Sequence, residues 1–214
     1  MNKKMQREQN GPSWTEVILG AALSLALGSA LAAAFLILKP VTTVRERPKE
    51  PAKDVVYQVE GTRDASKARQ LPAKQAAFLR GESVELIEEE LNALAAAAPS
   101  APVPAGKAAT ASAPNFRIRD GAMQIALPVQ FAAAGLERRI VVQARGGFEQ
   151  DNGVFVFAPD EMWVGSCPVH RLPLVPGVVM RRLFAAMTVP EELATAWRGL
   201  AEVTVEGNTL RLER

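Results

Sequence analysis

The chain has 214 residues, 48% of them hydrophobic, and its formal charge at neutral pH is +2. A charge so close to balance gives no support for electrostatic recognition of nucleic acid. One cysteine excludes an internal disulfide, and with one histidine it leaves no Cys/His zinc site unless carboxylates supply the other ligands. Length and composition allow one globular domain with accessory segments, or two small domains.

The first predicted element is an apolar run near the N-terminus, "VILGAALSLALGSALAAAFLIL" at residues 17–38, which contains no charged side chain. As a helix it would extend roughly 33 Å, enough to cross the hydrocarbon core of a membrane. Trp14 stands at its leading edge, where interfacial aromatic residues are found, and Lys39 with Pro40 ends it. The run is therefore typical of a membrane anchor.

We predict a short N-terminal tail over 1–13 and a transmembrane helix over 14–38, with Leu38 as its last residue. A buried core helix and a signal peptide cleaved after the "ALA" of 30–32 are the alternatives. Basic residues flank the run on both sides, so charge alone does not set the orientation. The short tail and the long following chain favour a single-pass anchor with the C-terminal domain outside the cytoplasm.

Small residues recur at every fourth position of this helix, at Gly20, Ser24 and Gly28. Such stripes let two membrane helices approach closely, so self-association through the anchor is a hypothesis. Chance spacing in a run so rich in alanine and glycine is the alternative.

The segment that follows, 39–70, is rich in charge and poor in large apolar side chains, which predicts a flexible juxtamembrane linker. We assign 71–214 to an α+β domain. Its first elements are a helix in "LPAKQAAFLRG", a strand in "SVELI" and a helix in "EEELNALAAAA", whose three glutamates are explained by the helix dipole and by solvation. Alanine and proline then dominate about 97–114, which predicts a disordered insertion.

From residue 115 the apolar period changes to two, as in half-buried strands. Asp120-Gly121 and "EQDNG" predict two hairpins, and "EMWVGSCPV" predicts a further strand. Two helices follow, the second with Thr188 and Glu191 as a capping box, and "EVTVEGNTLRLE" predicts a terminal hairpin. Together these elements predict an α+β fold in which a curved antiparallel sheet of about seven strands, in meander order, packs on a few helices.

The apolar side chains of these strands would form either a dry core or a groove for an apolar ligand. The candidate residues are Met123, Ile125, Leu127, Val129, Phe131, Phe155, Phe157 and Trp163.

The only cysteine and the only histidine, Cys167 and His170, lie three residues apart in "VGSCPVHRLP". A nucleophile with its base, half a metal site and simple packing are the alternatives. Positions i and i+3 of a strand face opposite ways, and no carboxylate or amide stands nearby to orient the imidazole. Packing is therefore favoured, and since no phosphate-loop, nucleophile-elbow or zinc-protease motif occurs, the sequence predicts no enzyme, cofactor or metal.

Several segments taken in order resemble a known group: "SVELIEEELNALA", "RDGAMQIAL", "VFVFAPDEMWVGSCPVHRLPL", "PEELATAW" and "VTVEGNTLRL", behind one membrane helix. Over about 83–214 the chain resembles the YpmS-type and LmeA-type families of bacterial membrane-anchored envelope proteins. The resemblance implies a tubular lipid-binding, BPI-like fold, in which a curved sheet wraps a long helix and apolar ligands lie in the groove. The Ala/Pro insertion and the "HR" before "LPL" depart from the pattern, and no binding residue is carried over.

Two functions follow as expectations. The first is a non-catalytic, membrane-anchored envelope protein that binds lipid or another apolar ligand in its sheet domain. The alternative is a structural or interaction subunit of an envelope assembly that docks partners through its sheet. The expected partners are membrane lipids around the anchor, the apolar ligand, and a second copy of the chain or an envelope protein.

Overall fold

The computed structural model describes residues 12–53, 55–97, 109–133, 135–172, 175–185 and 189–214. The helices are α1 (Trp14–Leu38), α2 (Leu71–Leu79), α3 (Glu88–Ala97), α4 (Val175–Ala185) and α5 (Glu191–Arg198). The strands are β1 (Thr42–Val44), β2 (Tyr57–Val59), β3 (Val84–Ile87), β4 (Ala109–Ala111), β5 (Asn115–Arg119), β6 (Ala122–Ala133), β7 (Leu136–Asp151), β8 (Val154–Val164), β9 (Glu202–Glu206) and β10 (Thr209–Glu213).

Most strands belong to two antiparallel sheets. The larger sheet has five strands in the order β4-β6-β7-β8, with β5 also paired to β6, and the smaller has the order β3-β10-β9. The predicted α+β class, with a long apolar N-terminal helix and antiparallel strands, is confirmed, but the prediction of one seven-stranded meander sheet is wrong. The last strand, β10, pairs with β3 near the start of the domain. The sequence did not reveal this pairing because an alternating pattern identifies a strand but not the strand it pairs with.

The predicted hairpins form the centre of the larger sheet. Asp120 and Gly121, with φ of 54° and 71°, join β5 to β6, as the left-handed positions of a tight turn require. "EMWVGSCPV" is not a separate strand, because β8 continues from Val154 to Val164. Pro159 and Glu161 pair with consecutive residues of β7, so Asp160 is an extra residue, and this β-bulge lets the strand pass the proline.

Alternation gives the larger sheet two different faces. We call apolar face the side that carries Phe116, Met123, Ile125, Leu127, Val142, Ala144, Phe157 and Met162. We call polar face the side that carries Arg117, Arg119, Gln124, Gln143, Arg145, Glu161 and Trp163. The apolar face belongs to the hydrophobic core, which also includes Phe78 of α2, Ala196 of α5 and Leu210 of β10.

The juxtamembrane segment 39–70, which the sequence predicts to be a flexible linker, contains two short strands and makes hydrogen bonds to the domain. β1 and β2 pair in parallel, and Gln58 is 1% exposed. The Gly61 N–H donates to Asn115 Oδ1 at 2.7 Å, and Asn92 Nδ2 donates to the Thr62 carbonyl at 3.0 Å. These hydrogen bonds attach residues 61–62 to β5 and α3. The composition of the segment does not reveal such contacts, because they involve residues far along the chain.

The predicted insertion falls largely outside the described residues, which omit 98–108. Its later part forms β4, which pairs with β6 and buries Ala111. A short strand therefore stands where the sequence suggested disorder. The predicted capping box involves Thr188, which lies outside the described residues. Pro190 is the N-cap residue of α5, and no side-chain capping hydrogen bond is present there.

The C-terminal end of α1 is attached to the domain. The Ser166 N–H donates to the Leu36 carbonyl at 2.9 Å. Gly165, with φ of 58°, packs so closely on Ile37 that a Cβ there would overlap the Ile37 carbonyl oxygen. None of the α1 residues is buried, and the helix is long and apolar enough to cross a membrane. The domain thus begins directly at the end of this helix.

Candidate functional site: an apolar cavity under the sheet

A cavity of about 630 Å³ lies between the apolar face and the helices. The sheet contributes one wall, formed by Phe116, Met123, Ile125, Leu127, Val142, Phe148, Phe155, Phe157 and Met162. Helices and the turns beside them contribute the opposite wall, with Leu71, Phe78, Leu91, Leu94, Met180, Leu193 and Trp197. The volume lies within the range of roughly 300–1,000 Å³ that is typical of ligand pockets.

Trp197 holds α5 over the sheet. Its indole Nε1 donates to the Phe155 carbonyl at 2.8 Å, so the polar edge of a large apolar side chain is satisfied. Its ring lies 5.9 Å from that of Phe148, which in turn meets Phe157 edge-on at 5.7 Å. This aromatic cluster fixes the distance between α5 and the sheet, and so keeps the cavity open.

The mouth of the cavity combines exposed apolar residues with a few charges. Val156 is 40% exposed and Val189 is 58% exposed. Among the described lining residues the charged ones are Lys74, bonded to Glu90 at 2.8 Å, and Arg198, bonded to Glu191 at 3.2 Å. The cavity therefore offers an apolar interior and a charged rim, which suits an apolar ligand or the apolar part of an amphiphile.

Five of the eight residues predicted for a groove line this cavity: Met123, Ile125, Leu127, Phe155 and Phe157. Val129 and Phe131 continue along β6, where they pair with β4 and β7. Trp163 lies on the polar face. The extra residue at Asp160 inverts the alternation of β8, so that even-numbered Met162 joins odd-numbered Phe157 on the apolar face.

Sequence reasoning did not select Phe148, Leu193 or Trp197, which complete the cavity. A signal for two of them was present. Leu193 and Trp197 are four residues apart in "PEELATAWRGL", which places both on one side of a helix.

Cys167 and His170 occupy a turn that packs against the end of β8. Cys167 is 4% exposed and its backbone exchanges hydrogen bonds with Val164. His170 Nδ1 lies 2.9 Å from the Met162 carbonyl oxygen and its ring meets Trp163 edge-on. Among the described residues, no group of three or more His, Cys, Asp or Glu side chains is placed to hold a metal ion.

The glutamates at the start of α3 are not the solvated residues that the sequence suggested. Glu90 is 1% exposed and accepts from Lys74, and Glu89 is 7% exposed and accepts from Lys67 at 2.9 Å. Burial acts to raise the pKa of Glu89, but the hydrogen bonds from Lys67, from its own backbone N–H and from Thr62, together with the charge of Lys67, outweigh it. This pKa therefore lies below its usual value. Both carboxylates attach α3 to the segments around it.

The anchor residues keep an open surface. Trp14 is 83% exposed, and Gly20, Ser24, Gly28 and Leu38 are also exposed. Among the described residues, no atom outside the helix lies within 4 Å of the position that a Cβ would take at Gly20 or Gly28. The small-residue stripe is therefore free along this single chain.

Comparison of the chain with protein-family models, with curated proteins and with solved structures finds no match. The resemblance to envelope proteins thus stays a prediction from the motifs, and the geometry of the chain itself carries the functional argument.

Proposed function

We propose that this protein is anchored in a membrane by α1 and that its domain binds one apolar ligand, of the size of a lipid acyl chain, in the cavity. The single observation that carries the proposal is the cavity of about 630 Å³ with an almost wholly hydrophobic lining and a mouth bordered by exposed Val156 and Val189. Exposed apolar surface of this kind marks binding sites for ligands, proteins or membranes.

The energy available from such a cavity is large enough to hold a lipid. An acyl chain that buries about 15 methylene groups would gain roughly 12 kcal/mol. Loss of translational freedom and ordering of the chain subtract several kcal/mol from this gain. The expected dissociation constant therefore lies in the micromolar range or above, unless the charged rim adds contacts to a headgroup.

The anchor supports the same function. Only Ala33, Leu36 and Ile37, near the C-terminal end of α1, are partly buried against the core, and no residue of the helix is fully buried. The rest of this apolar helix surface is exposed, and such a surface is solvated best by lipid. Because Leu36 and Ile37 contact Gly165 and Ser166, the domain would lie at the membrane surface, where lipid is available. We propose further that this membrane is a bacterial inner membrane and that the domain is extracytoplasmic, as the resemblance of the motifs to envelope proteins implies.

The proposed role is binding rather than catalysis. Among the described residues that line the cavity, apolar side chains supply nearly all of the contacts, and no carboxylate, thiol or imidazole contributes. General acid–base or nucleophilic chemistry needs such groups within hydrogen-bond reach of the ligand.

The test uses a fragment of residues 40–214, which keeps the ordered juxtamembrane segment, and the neutral fluorescent probe N-phenyl-1-naphthylamine. Ile125 and Gln124 are neighbours on β6 that face opposite ways. We expect saturable binding of one probe per chain, weakened tenfold or more, by a rough estimate, in Ile125→Glu, because a carboxylate buried against apolar walls costs a few kcal/mol.

Gln124→Glu is the matched control, since it adds the same charge to the opposite face and should leave probe binding unchanged. Circular dichroism of both variants monitors folding. Equal probe binding by the two folded variants, or a fluorescence signal that never saturates, contradicts the proposal and favours an interaction subunit with a closed core.

A further inference from the structure

A second hollow, of about 720 Å³, lies on the polar face, on the other side of the sheet from the apolar cavity. We call it the polar pocket. Strands β5 to β8 form its floor. Described residues of the juxtamembrane segment form its other wall: Arg47, Pro51, Ala52, Lys53, Val55, Val56, Tyr57 and Val59. Its lining includes five cationic side chains, Arg47, Lys53, Arg117, Arg119 and Arg145. Only Asp120 and Glu161 oppose them among the described lining residues.

Asp120 and Glu161 lie beside the five cations of the polar pocket, but no salt bridge among the described residues joins any of the five to a carboxylate. Arg117 and Arg119 alternate on β5 and so point the same way. Burial, together with the charge of Arg119, lowers the pKa of Arg117. The salt bridges within the described part of the chain involve other basic residues, such as Lys67, Lys74 and Arg211. A cluster of this kind favours an anion.

The floor of the pocket contains an unsatisfied donor. Gln143 is 6% exposed, and its Oε1 accepts from Gln124 Nε2 at 3.3 Å. Its own Nε2 is buried and has no hydrogen-bond partner within the described structure. A buried amide without an acceptor is costly. Gln143 lines the polar pocket, so a rotation of its side chain would present the amide to an acceptor there.

We propose that the polar pocket binds a phosphate-bearing anion, with the guanidinium groups of Arg117, Arg119 and Arg145 and the Gln143 amide as donors. Guanidinium forks match phosphate oxygens in pairs. The pocket is larger than a bare phosphate ion, which leaves room for a phosphate ester whose organic part would lie beside Tyr57 and Trp163. The inference rests on the polar face alone and is independent of the apolar cavity.

Two sources supply this chemistry, a soluble phosphate ester and the headgroup of an anionic phospholipid. The headgroup of a phospholipid could reach the pocket from the membrane. Trp163 lies two residues, or about 7 Å of strand, from Gly165, and Gly165 contacts Ile37 at the end of α1.

The test measures thermal unfolding of the full chain in dodecyl maltoside micelles at constant ionic strength. The probes are glycerol 3-phosphate, dihexanoyl phosphatidic acid and, as zwitterionic control, dihexanoyl phosphatidylcholine. A ligand of the native state raises the melting temperature saturably. We expect this rise for phosphatidic acid, and affinity roughly tenfold lower in Arg117→Gln, which removes a charged donor.

Arg80→Gln is the matched control, because Arg80 is an exposed arginine that pairs with Glu82 away from the pocket. Glu161→Gln removes an opposing carboxylate and should bind the same probes more tightly. If Arg117→Gln does not fold, Arg145→Gln replaces it. A response to glycerol 3-phosphate as well identifies the phosphate ester as sufficient, and a response to phosphatidic acid alone identifies the lipid headgroup.

The proposal is overturned if neither phosphate probe gives a saturable rise above phosphatidylcholine, or if Arg117→Gln and Arg80→Gln respond alike. A response lost in Ile125→Glu but kept in Arg117→Gln also overturns it, since the probe would then occupy the apolar cavity. Failure of the apolar cavity to bind its own probe leaves this test unaffected.

Discussion

The two faces of the larger sheet contain hollows of similar size, about 630 Å³ and 720 Å³, with opposite chemistry. Hydrophobic side chains of the strands and helices enclose the first, while arginines and the juxtamembrane segment enclose the second. Ala144 borders both. Because successive residues of each strand face opposite sides, a single-residue shift of register exchanges the two faces. A substitution on one face can therefore be compared with the same kind of substitution at the neighbouring residue on the other face.

The largest expected effect is the difference in protein stability between a substitution on the apolar face and one on the polar face. Met162 is 0% exposed on the apolar face, and Glu161 beside it is exposed on the polar face. We expect Met162→Ala to lower the free energy of unfolding by about 3 kcal/mol, through lost contacts and a new void. Glu161→Ala should change it by less than about 0.5 kcal/mol. Urea denaturation of the 40–214 fragment measures both, and equal effects would contradict the assignment of faces.

A smaller effect is expected where the anchor meets the edge of the sheet. Gly165→Ala places a Cβ against the Ile37 carbonyl at a φ of 58°, which should cost about 2 kcal/mol. Gly147→Ala, in the same sheet with open space around it, should be nearly neutral. Thermal unfolding of the full chain in detergent compares them.

The loss of stability caused by Gly165→Ala should be smaller in the 40–214 fragment, because Ile37 is absent from it. An equal cost with and without α1 would show that backbone strain alone accounts for it, and that the attachment of the helix to the domain is weak.

The smallest effect concerns the ion pair that ties the juxtamembrane segment to α3. The pKa of Glu89 is held below its usual value of 4.5, so its stabilising contribution is present above that value and is lost as the pH falls through the folded-state pKa. Because Lys67 is 60% exposed, solvent screens the pair and the contribution is expected to be small. Urea denaturation at about pH 6 and about pH 3 should show a smaller acid loss in Glu89→Gln than in the unaltered chain.

An equal acid loss in Glu89→Gln and the unaltered chain would mean that other carboxylates dominate. Glu85→Gln, at an exposed position on β3, is the charge-matched control.

Local patterns predicted much of the secondary structure. Pro72 near the start of α2, the turn at Asp120-Gly121 and the alternation of Met123, Ile125 and Leu127 each correspond to an observed element. These features depend on a few neighbouring residues, which is why a single sequence reveals them. Five residues of the cavity could be named in advance for the same reason.

Features that depend on distant contacts were not predictable. The bulge at Asp160 moved Trp163 to the polar face, and no local signal distinguishes it from a turn. The order of segment 39–70 depends on Asn92 and Asn115, far along the chain, whose amides bond to its backbone. The polar pocket was missed although Arg117 and Arg119 alternate in "NFRIR", because the segment that encloses it had been assigned to a flexible linker.

The central claim is that the apolar cavity holds a lipid, and the most direct measurement is native mass spectrometry of the 40–214 fragment purified without detergent, with the extract analysed for lipid. We predict about one lipid per chain, retained in Gln124→Glu and lost in Ile125→Glu while both variants stay folded. A folded fragment that carries no lipid, and takes up none from added phospholipid vesicles, would contradict the claim.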